Sequence, residues 1–465
     1  MRNVLKMASL QTLIRGLGKQ VSRFVDPALV YGPVYRQLRH SLNSEAFANE
    51  ERLVGFERAQ IAQILDRIST HVPFYRNCSA FGPDWRRRDP REVLLDLPLV
   101  SKEMMQEDVR RFTLDSVPEQ ELEYVTTGGS TALPFGFYDR KRISRAIETA
   151  FIHHLWSQHG FTSKSKSAVI RGAVVTTEHT RRLWRYEPFQ RVLALSSYHL
   201  QGAAIEQMYR KLCEARLPYI QAYPSAANIL AAFIEETSQS PPPGLKAVFL
   251  GSENLPLWQR VRIEKAFAAP VYSWYGHAEK AALAGEAPGS THLHFLPRYG
   301  YAYLRSEDGS LITKPGIPGE IIATGFTNQA TQFVNYRTGD IGVWAERDFG
   351  LMKSAYTRTL ERVEGRLQEL AITTGGRKIS MCAINMHSDI FDGVKQFRFV
   401  QDRRGVIRME IVRKKEYSER DEQRIKAGVS EKFGADMKLE VRYVDSIPRT
   451  KSGKARFLIQ NLEID

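Results

Sequence analysis

The hydrophobic positions of this chain change their period several times, and those changes divide it. Near the N-terminus Leu10, Leu13, Ile14, Leu17 and Val21 recur at helical spacing, with Arg15, Lys19 and Arg23 mainly on other faces. Residues 1–50 therefore read as a helical extension, 51–66 as a further helix and 90–100 as a connector. Short apolar runs then alternate with helical patterns. The pattern predicts a helix over 142–159 and a strand over 167–170, then strand 217–221 before helix 226–236. Strand 245–251 precedes helix 257–267, and strand 271–275 follows. Such alternation predicts an α/β fold of layered sheets and helices, with a mainly parallel sheet. Ligands in such folds bind beyond the carboxyl ends of the strands, which puts 251–254 and 275–279 on one rim. From 299 to 344 the strands shorten and Pro315, Gly316, Pro318 and Gly319 break them, so a small antiparallel subdomain is expected. A polar segment at 362–368 leads into mixed strand and helix. The expected division is an extension at 1–50, a large domain at 51–364 and a small α+β domain at 365–465.

Composition narrows the class. Of 465 residues 43% are hydrophobic and 25% charged, as in ordinary globular proteins. No apolar run reaches the roughly 20 residues needed to cross a bilayer, and the basic start lacks the continuous apolar core of a signal peptide. Cys78, Cys213 and Cys382 lie far apart, without metal-ligand spacing, so a reducing, cytoplasmic setting is expected. With 66 Lys and Arg against 52 Asp and Glu, the net charge of +14 favours anionic partners. Clusters such as Arg86-Arg87-Arg88 and Arg413-Lys414-Lys415 read as solvated faces, since no helix-turn-helix or aromatic-interleaved RNA-binding pattern accompanies them. The N-terminal amphipathic pattern suits packing on its own domain, or a peripheral place on the inner face of an anionic membrane.

Four stretches carry candidate chemistry. In Tyr-Val-Thr-Thr-Gly-Gly-Ser-Thr-Ala-Leu-Pro, residues 124–134, two glycines free the backbone and four hydroxyls crowd one short loop. Main-chain N–H groups and hydroxyls suit polyphosphate oxygens, which only accept hydrogen bonds. The loop is not a Walker phosphate loop. Tyr275-Gly276-His277-Ala278-Glu279 offers an aromatic face for a purine and a carboxylate for a phosphate-bound metal. Tyr336-Arg337-Thr338-Gly339-Asp340 reads as a tight turn whose carboxylate can accept both hydroxyls of a ribose. Pro448-Arg449-Thr450-Lys451-Ser452-Gly453-Lys454 reads as a basic tail, or as a loop carrying one lysine into a site. By contrast, His153-His154 and His292-Leu293-His294 have no third ligand nearby in sequence and read as core or surface histidines.

In this order, the four stretches resemble the adenylate-forming enzymes: acyl-CoA synthetases, luciferases and peptide-synthetase adenylation domains. Thr-Thr-Gly-Gly-Ser-Thr at 126–131, Tyr275 to Lys280, Leu283-Ala284-Gly285-Glu286 and Gly365-Arg366-Leu367-Gln368-Glu369 look most like the phenylacetate–CoA ligase branch. They look closer still to its relatives associated with capsular polysaccharide biosynthesis. The resemblance runs from about residue 50 to the end. It implies a large N-terminal domain and a mobile C-terminal lid, with ATP, Mg²⁺ and a small carboxylic acid as ligands. The acyl acceptor would be CoA or another group, including an amine or hydroxyl of a sugar. Thr127, Gly129, Ser130 and Thr131 would wrap the ATP phosphates. Gly251, Ser252 and Glu253 would border the adenine, with Tyr275 on its face and Gly276 beside it. Glu279 would hold Mg²⁺, Asp340 the ribose, and Arg366 the ribose or phosphates. Lys454 would bridge the carboxylate and the α-phosphate, and Gly375, Gly376 and Arg377 would form the lid loop of the second half-reaction. His277 and Tyr223 would line the acyl pocket.

Two positions depart from the pattern. Ala132 stands where the phosphate loop has a glycine, and Gln368 where many relatives have Asp or Lys at the lid hinge. The leading expectation is an ATP-dependent ligase that makes an acyl-adenylate and passes the acyl group on. The alternative is a relative that binds nucleotide or polysaccharide intermediates without turnover.

Overall fold

The computed structural model describes residues 26–42, 50–126, 135–171, 175, 182–197, 199–200, 202–251, 253–346, 358–366, 370–376, 378–380, 391, 393–433, 435–448 and 456–462. The helix predicted through Leu10 and Val21 lies outside them.

After a short helical turn at Pro27–Val30 come helices α1 (Gly32–Leu42) and α2 (Glu50–His71), and α1 lies against α3 (Ser144–Ser157). Tyr35 of α1 is buried, and its hydroxyl is hydrogen-bonded to His153 Nδ1 at 2.9 Å. Burial holds that imidazole neutral, its pKa pushed down to about 3. Residues 90–100 are not a plain connector. Pro90–Asp96 is a helix, with Pro in its first turn and the Asp89 carboxylate accepting the Arg91 N–H.

A hairpin of β1 (Leu122–Thr126) and β2 (Gly136–Arg140) follows, with Thr126 opposite Gly136. The next strands are β3 (Ser167–Ile170), β4 (Trp184–Glu187), β5 (Val192–Leu195), β6 (Tyr219–Ala222), β7 (Ala247–Gly251) and β8 (Val271–Gly276). Five of them run parallel in the order β5-β3-β6-β7-β8, and β4 closes one edge antiparallel. Every residue of β7 is buried, because helices cover both faces of the parallel strands.

Helices α4 (Gly202–Ala215), α5 (Pro224–Glu236) and α6 (Leu257–Phe267) connect these strands. The Ala-rich α5 is buried over most of its length. Its N-terminus has no side-chain cap of its own; the Glu253 carboxylate from beyond β7 accepts from Ser225 N at 2.9 Å and from Ser225 Oγ at 3.1 Å. An anion at a helix N-terminus satisfies free N–H groups and meets the positive end of the dipole.

The antiparallel strands are β9 (Leu283–Glu286), β10 (Leu293–Phe295), β11 (Gly300–Arg305), β12 (Leu311–Ile312), β13 (Pro318–Gly325), β14 (Tyr336–Trp344) and β15 (Thr359–Arg366). They continue the parallel ladder through β9, β10 and β15 into one 13-stranded sheet, so the expected subdomain is an extension of the main sheet. The C-terminal domain has a hairpin of β16 (Leu370–Ile372) and β17 (Lys378–Ser380). Its four-stranded sheet holds β18 (Val394–Arg403), β19 (Val406–Arg413), β20 (Lys438–Tyr443) and β21 (Leu458–Gln460). Ile425, Val429 and Phe433, one stripe of α7 (Glu419–Phe433), bury with Phe399, Met409 and Ile411 of that sheet.

The two sheets meet at α6. Its Trp258 ring packs 5.6 Å from Phe391 and stacks on Phe397 at 5.5 Å. Arg262 Nη2 donates to Val394 O at 3.4 Å, and Lys395 pairs with Glu236 at 3.1 Å. Among the described residues no helix is long and apolar enough to cross a membrane.

Candidate active site

The rim forms where β3, β6, β7 and β8 end, which places Arg171, Tyr223, Gly251 and His277 in one row. Gly251 is paired with Trp274 across the strands, and a Cβ there would meet the indole ring at 2.2 Å. Only glycine allows that ring to lie on the backbone.

Tyr336 to Asp340 form no tight turn. They belong to β14, which bulges: Glu320 faces Ile341 while Ile322 faces Arg337, leaving 338–340 opposite Ile321 alone. Gly339 takes φ +71°, Thr338 Oγ1 donates to Ile321 O at 2.8 Å, and Asp340 N–H donates to Thr338 Oγ1 at 3.1 Å. The bulge turns the Asp340 carboxylate toward β8.

There the Tyr275 hydroxyl donates to Asp340 Oδ2 at 2.9 Å. The Tyr336 hydroxyl donates to Glu279 Oε1 at 3.1 Å, and Asn328 Nδ2 donates to Glu279 O at 2.9 Å. The His277 imidazole stands between the Tyr275 and Tyr336 rings, at 6.0 and 6.3 Å. Its Nδ1 lies 3.9 Å from Glu279 Oε2, and both ring nitrogens are buried without a hydrogen bond among the described residues. Tyr275, His277, Glu279 and Asp340 thus converge on one place.

The remaining expected residues divide. Thr127, Gly129, Ser130, Thr131, Ser252, Arg377 and Lys454 lie outside the described residues, as do Ala132 and Gln368. Phe135, the residue after the expected phosphate loop, is wholly buried and packs on Phe333, whose ring contacts Tyr336 at 5.1 Å. Arg366 is placed by its backbone, paired with Asp340 across β14 and β15. Glu253 caps α5, as described. Gly375 and Gly376 are exposed in the turn between β16 and β17, where the neighbouring Thr374 N–H donates to Asp436 O within the C-terminal domain.

Sequence reasoning gave no role to Tyr336, Asn328, Trp274 or Arg171. Tyr336 opens the third motif, but nothing local shows that its hydroxyl reaches a carboxylate 57 positions away.

This architecture is the fold of the adenylate-forming ligases. The solved structure of 2-hydroxyisobutyryl-CoA ligase in its postadenylation state superposes with a TM-score of 0.67, over 88% of this chain and 89% of that one, at 18% identity. The same enzyme in its thioesterification state scores 0.55 over 87% and 89%, at 19% identity. The amide bond synthetase McbA from Marinactinospora thermotolerans scores 0.52 over 72% and 68%, at 15% identity. The capsule-associated resemblance holds as well: residues 371–461 match the family model described as the CapK C-terminal domain. Protein CapK of Staphylococcus aureus is 24% identical over 79% of this chain and 80% of its own length.

Proposed function

We propose that this protein activates a carboxylic acid as its acyl-adenylate, releasing pyrophosphate, and then passes the acyl group to CoA or another acceptor. The observation that carries the reading is the pair of hydrogen bonds Tyr275–Asp340 and Tyr336–Glu279, which hold two separate motifs on one rim. Asp340, fixed through one oxygen by Tyr275, would receive the ribose hydroxyls. Glu279 Oε1 accepts from Tyr336, and Oε2 would serve as a single carboxylate ligand to Mg²⁺, with phosphate oxygens and water supplying the rest. Bound Mg²⁺ would neutralise phosphate charge that otherwise repels the attacking carboxylate. Lys454, on the C-terminal lid of residues 365–465, would meet the α-phosphate and the acid together. Closing the lid would shield the anhydride from water.

The solved relatives lend support, since 2-hydroxyisobutyryl-CoA ligase holds 2-HIB-AMP and CoA and McbA is an amide bond synthetase. The closer superposition on the postadenylation state supports a lid docked as after the first half-reaction. A role in making a surface polysaccharide rests on CapK alone.

Pyrophosphate exchange into ATP, run with aromatic, fatty, amino, dicarboxylic and sugar acids, tests the reading. One acid class should drive exchange, and Lys454→Ala should abolish it. Nucleotide binding without exchange for any acid would leave a binding protein.

A further inference from the structure

The far edge of the parallel sheet, where the strands begin, carries charge that adenylation does not use. Lys166 directly precedes β3, Arg191 precedes β5 and Lys246 precedes β7, while Arg216 stands shortly before β6. The registers Ser167 to Val192, Ser167 to Tyr219 and Tyr219 to Ala247 set these strand starts side by side. At about 4.8 Å between strands, the row runs for roughly 15 Å. Lys164 extends it, since Arg191 Nη1 donates to Lys164 O at 3.1 Å. Lys164, Lys166, Arg216 and Lys246 are exposed, and Arg191 is half-buried.

The acidic groups beside the row are already paired. Asp26 pairs with Lys164 at 3.5 Å, Glu187 with Arg185, Glu214 with Lys211 at 2.9 Å and Glu264 with Arg260 at 3.8 Å. Glu235 and Glu236, at the end of α5, pair with Lys414 at 3.6 Å and Lys395 at 3.1 Å. Lys166, Arg216 and Lys246 have no carboxylate partner among the described residues. Exposed apolar side chains flank the row: Phe189 between β4 and β5, and Leu29 and Val30 in the turn at 27–30. Asp26 caps that turn and is also the partner of Lys164, so the chain before it joins at the row. That stretch, residues 1–25, holds Arg2, Lys6, Arg15, Lys19 and Arg23 and no Asp or Glu.

We propose that this edge docks on an anionic lipid surface, with residues 1–25 adding their charge and apolar side chains to the contact. Basic side chains near such a surface are drawn to its headgroups. Leu29, Val30 and Phe189 gain burial at the boundary between headgroups and acyl chains. A nucleic-acid backbone would meet the charge but leave Leu29 and Val30 in water. The nucleotide rim, at the other ends of the same strands, then faces away from the lipid.

The test is co-sedimentation of the full chain with vesicles of equal parts phosphatidylglycerol and phosphatidylcholine, and with vesicles of phosphatidylcholine alone. The wild type should bind the anionic vesicles, more weakly as salt rises, and leave the neutral ones unbound. Lys166→Gln, Arg216→Gln and Lys246→Gln together should weaken that binding about 100-fold. These side chains are exposed and unpaired, so the triple variant should unfold at the wild-type temperature. Leu29→Ser with Phe189→Ser should cost at least about fivefold at a salt concentration that screens the charge. Equal binding to both kinds of vesicle, or wild-type affinity in the triple variant, overturns the proposal. Retention on single-stranded RNA without retention on anionic vesicles overturns it too, in favour of a nucleic-acid surface.

Discussion

Replacing Trp258 by alanine should release the C-terminal domain from the large sheet without unfolding either. Trp258 is 5% exposed, with Phe391 and Phe397 of the C-terminal domain against its ring. A tryptophan buries about 150–250 Å², which at ~25 cal/mol per Å² comes to roughly 5 kcal/mol as an upper bound. Measured Trp-to-Ala losses in cores run about 3–5 kcal/mol. A loss of ~3 kcal/mol at this seam shifts the docked–undocked equilibrium about 100-fold. The other ties are weaker. Lys395–Glu236 and Lys414–Glu235 are partly solvated pairs at 3.1 and 3.6 Å, each worth no more than about 1 kcal/mol. Small-angle scattering should show a larger radius of gyration for the variant at temperatures where far-ultraviolet circular dichroism is unchanged. Limited proteolysis should then separate the two domains. An unchanged scattering curve, with a single unfolding transition merely shifted to lower temperature, would show that Trp258 is ordinary core and not a detachable seam.

Three further outcomes are expected. Burial pushes Glu286 up to about 7, against the pull of Arg260 and the Ser273 N–H. Its folded pKa thus exceeds the unfolded one, so its contribution to stability is complete below about pH 4.5 and is lost as pH rises through 7. Urea unfolding between pH 5 and 8 should show this as a falling slope of at most ~1.4 kcal/mol per pH unit, which Glu286→Gln removes. Tyr336→Phe frees Glu279 Oε1, at a cost of about 1 kcal/mol, and should lower the exchange rate about fivefold with the KM for the acid unaltered. Tyr35→Phe leaves the buried His153 nitrogen without its hydroxyl and should cost ~1–2 kcal/mol in thermal unfolding while exchange activity persists.

Much of this protein was written in its local pattern. The alternation of apolar strands and helices from 167 to 275 names a parallel sheet, because strands covered on both faces must be apolar throughout, as β7 is. The motif at 275–279 is legible for a similar reason: a rim position needs a short segment of fixed residue types, and that segment is contiguous. The β4 strand was not legible, since Trp184, Arg185, Tyr186 and Glu187 sit on an edge where little is buried. Nor was the bulge at Asp340, because Tyr336–Asp340 contains the glycine of a turn and only pairing with β13 makes it strand.

What the chain by itself determined is the kind of sheet and the chemistry offered at its edge. Folding alone decided which groups meet. Tyr275 reaches Asp340 across 65 positions and Tyr336 reaches Glu279 across 57, while Glu253 turns to a helix 28 positions earlier. Arg171 comes to lie between Tyr223 and Trp274 only because β3, β6 and β8 end on the same rim. A hydrogen bond or a ring contact acts over a few ångströms of space, and separation along the sequence does not report that distance.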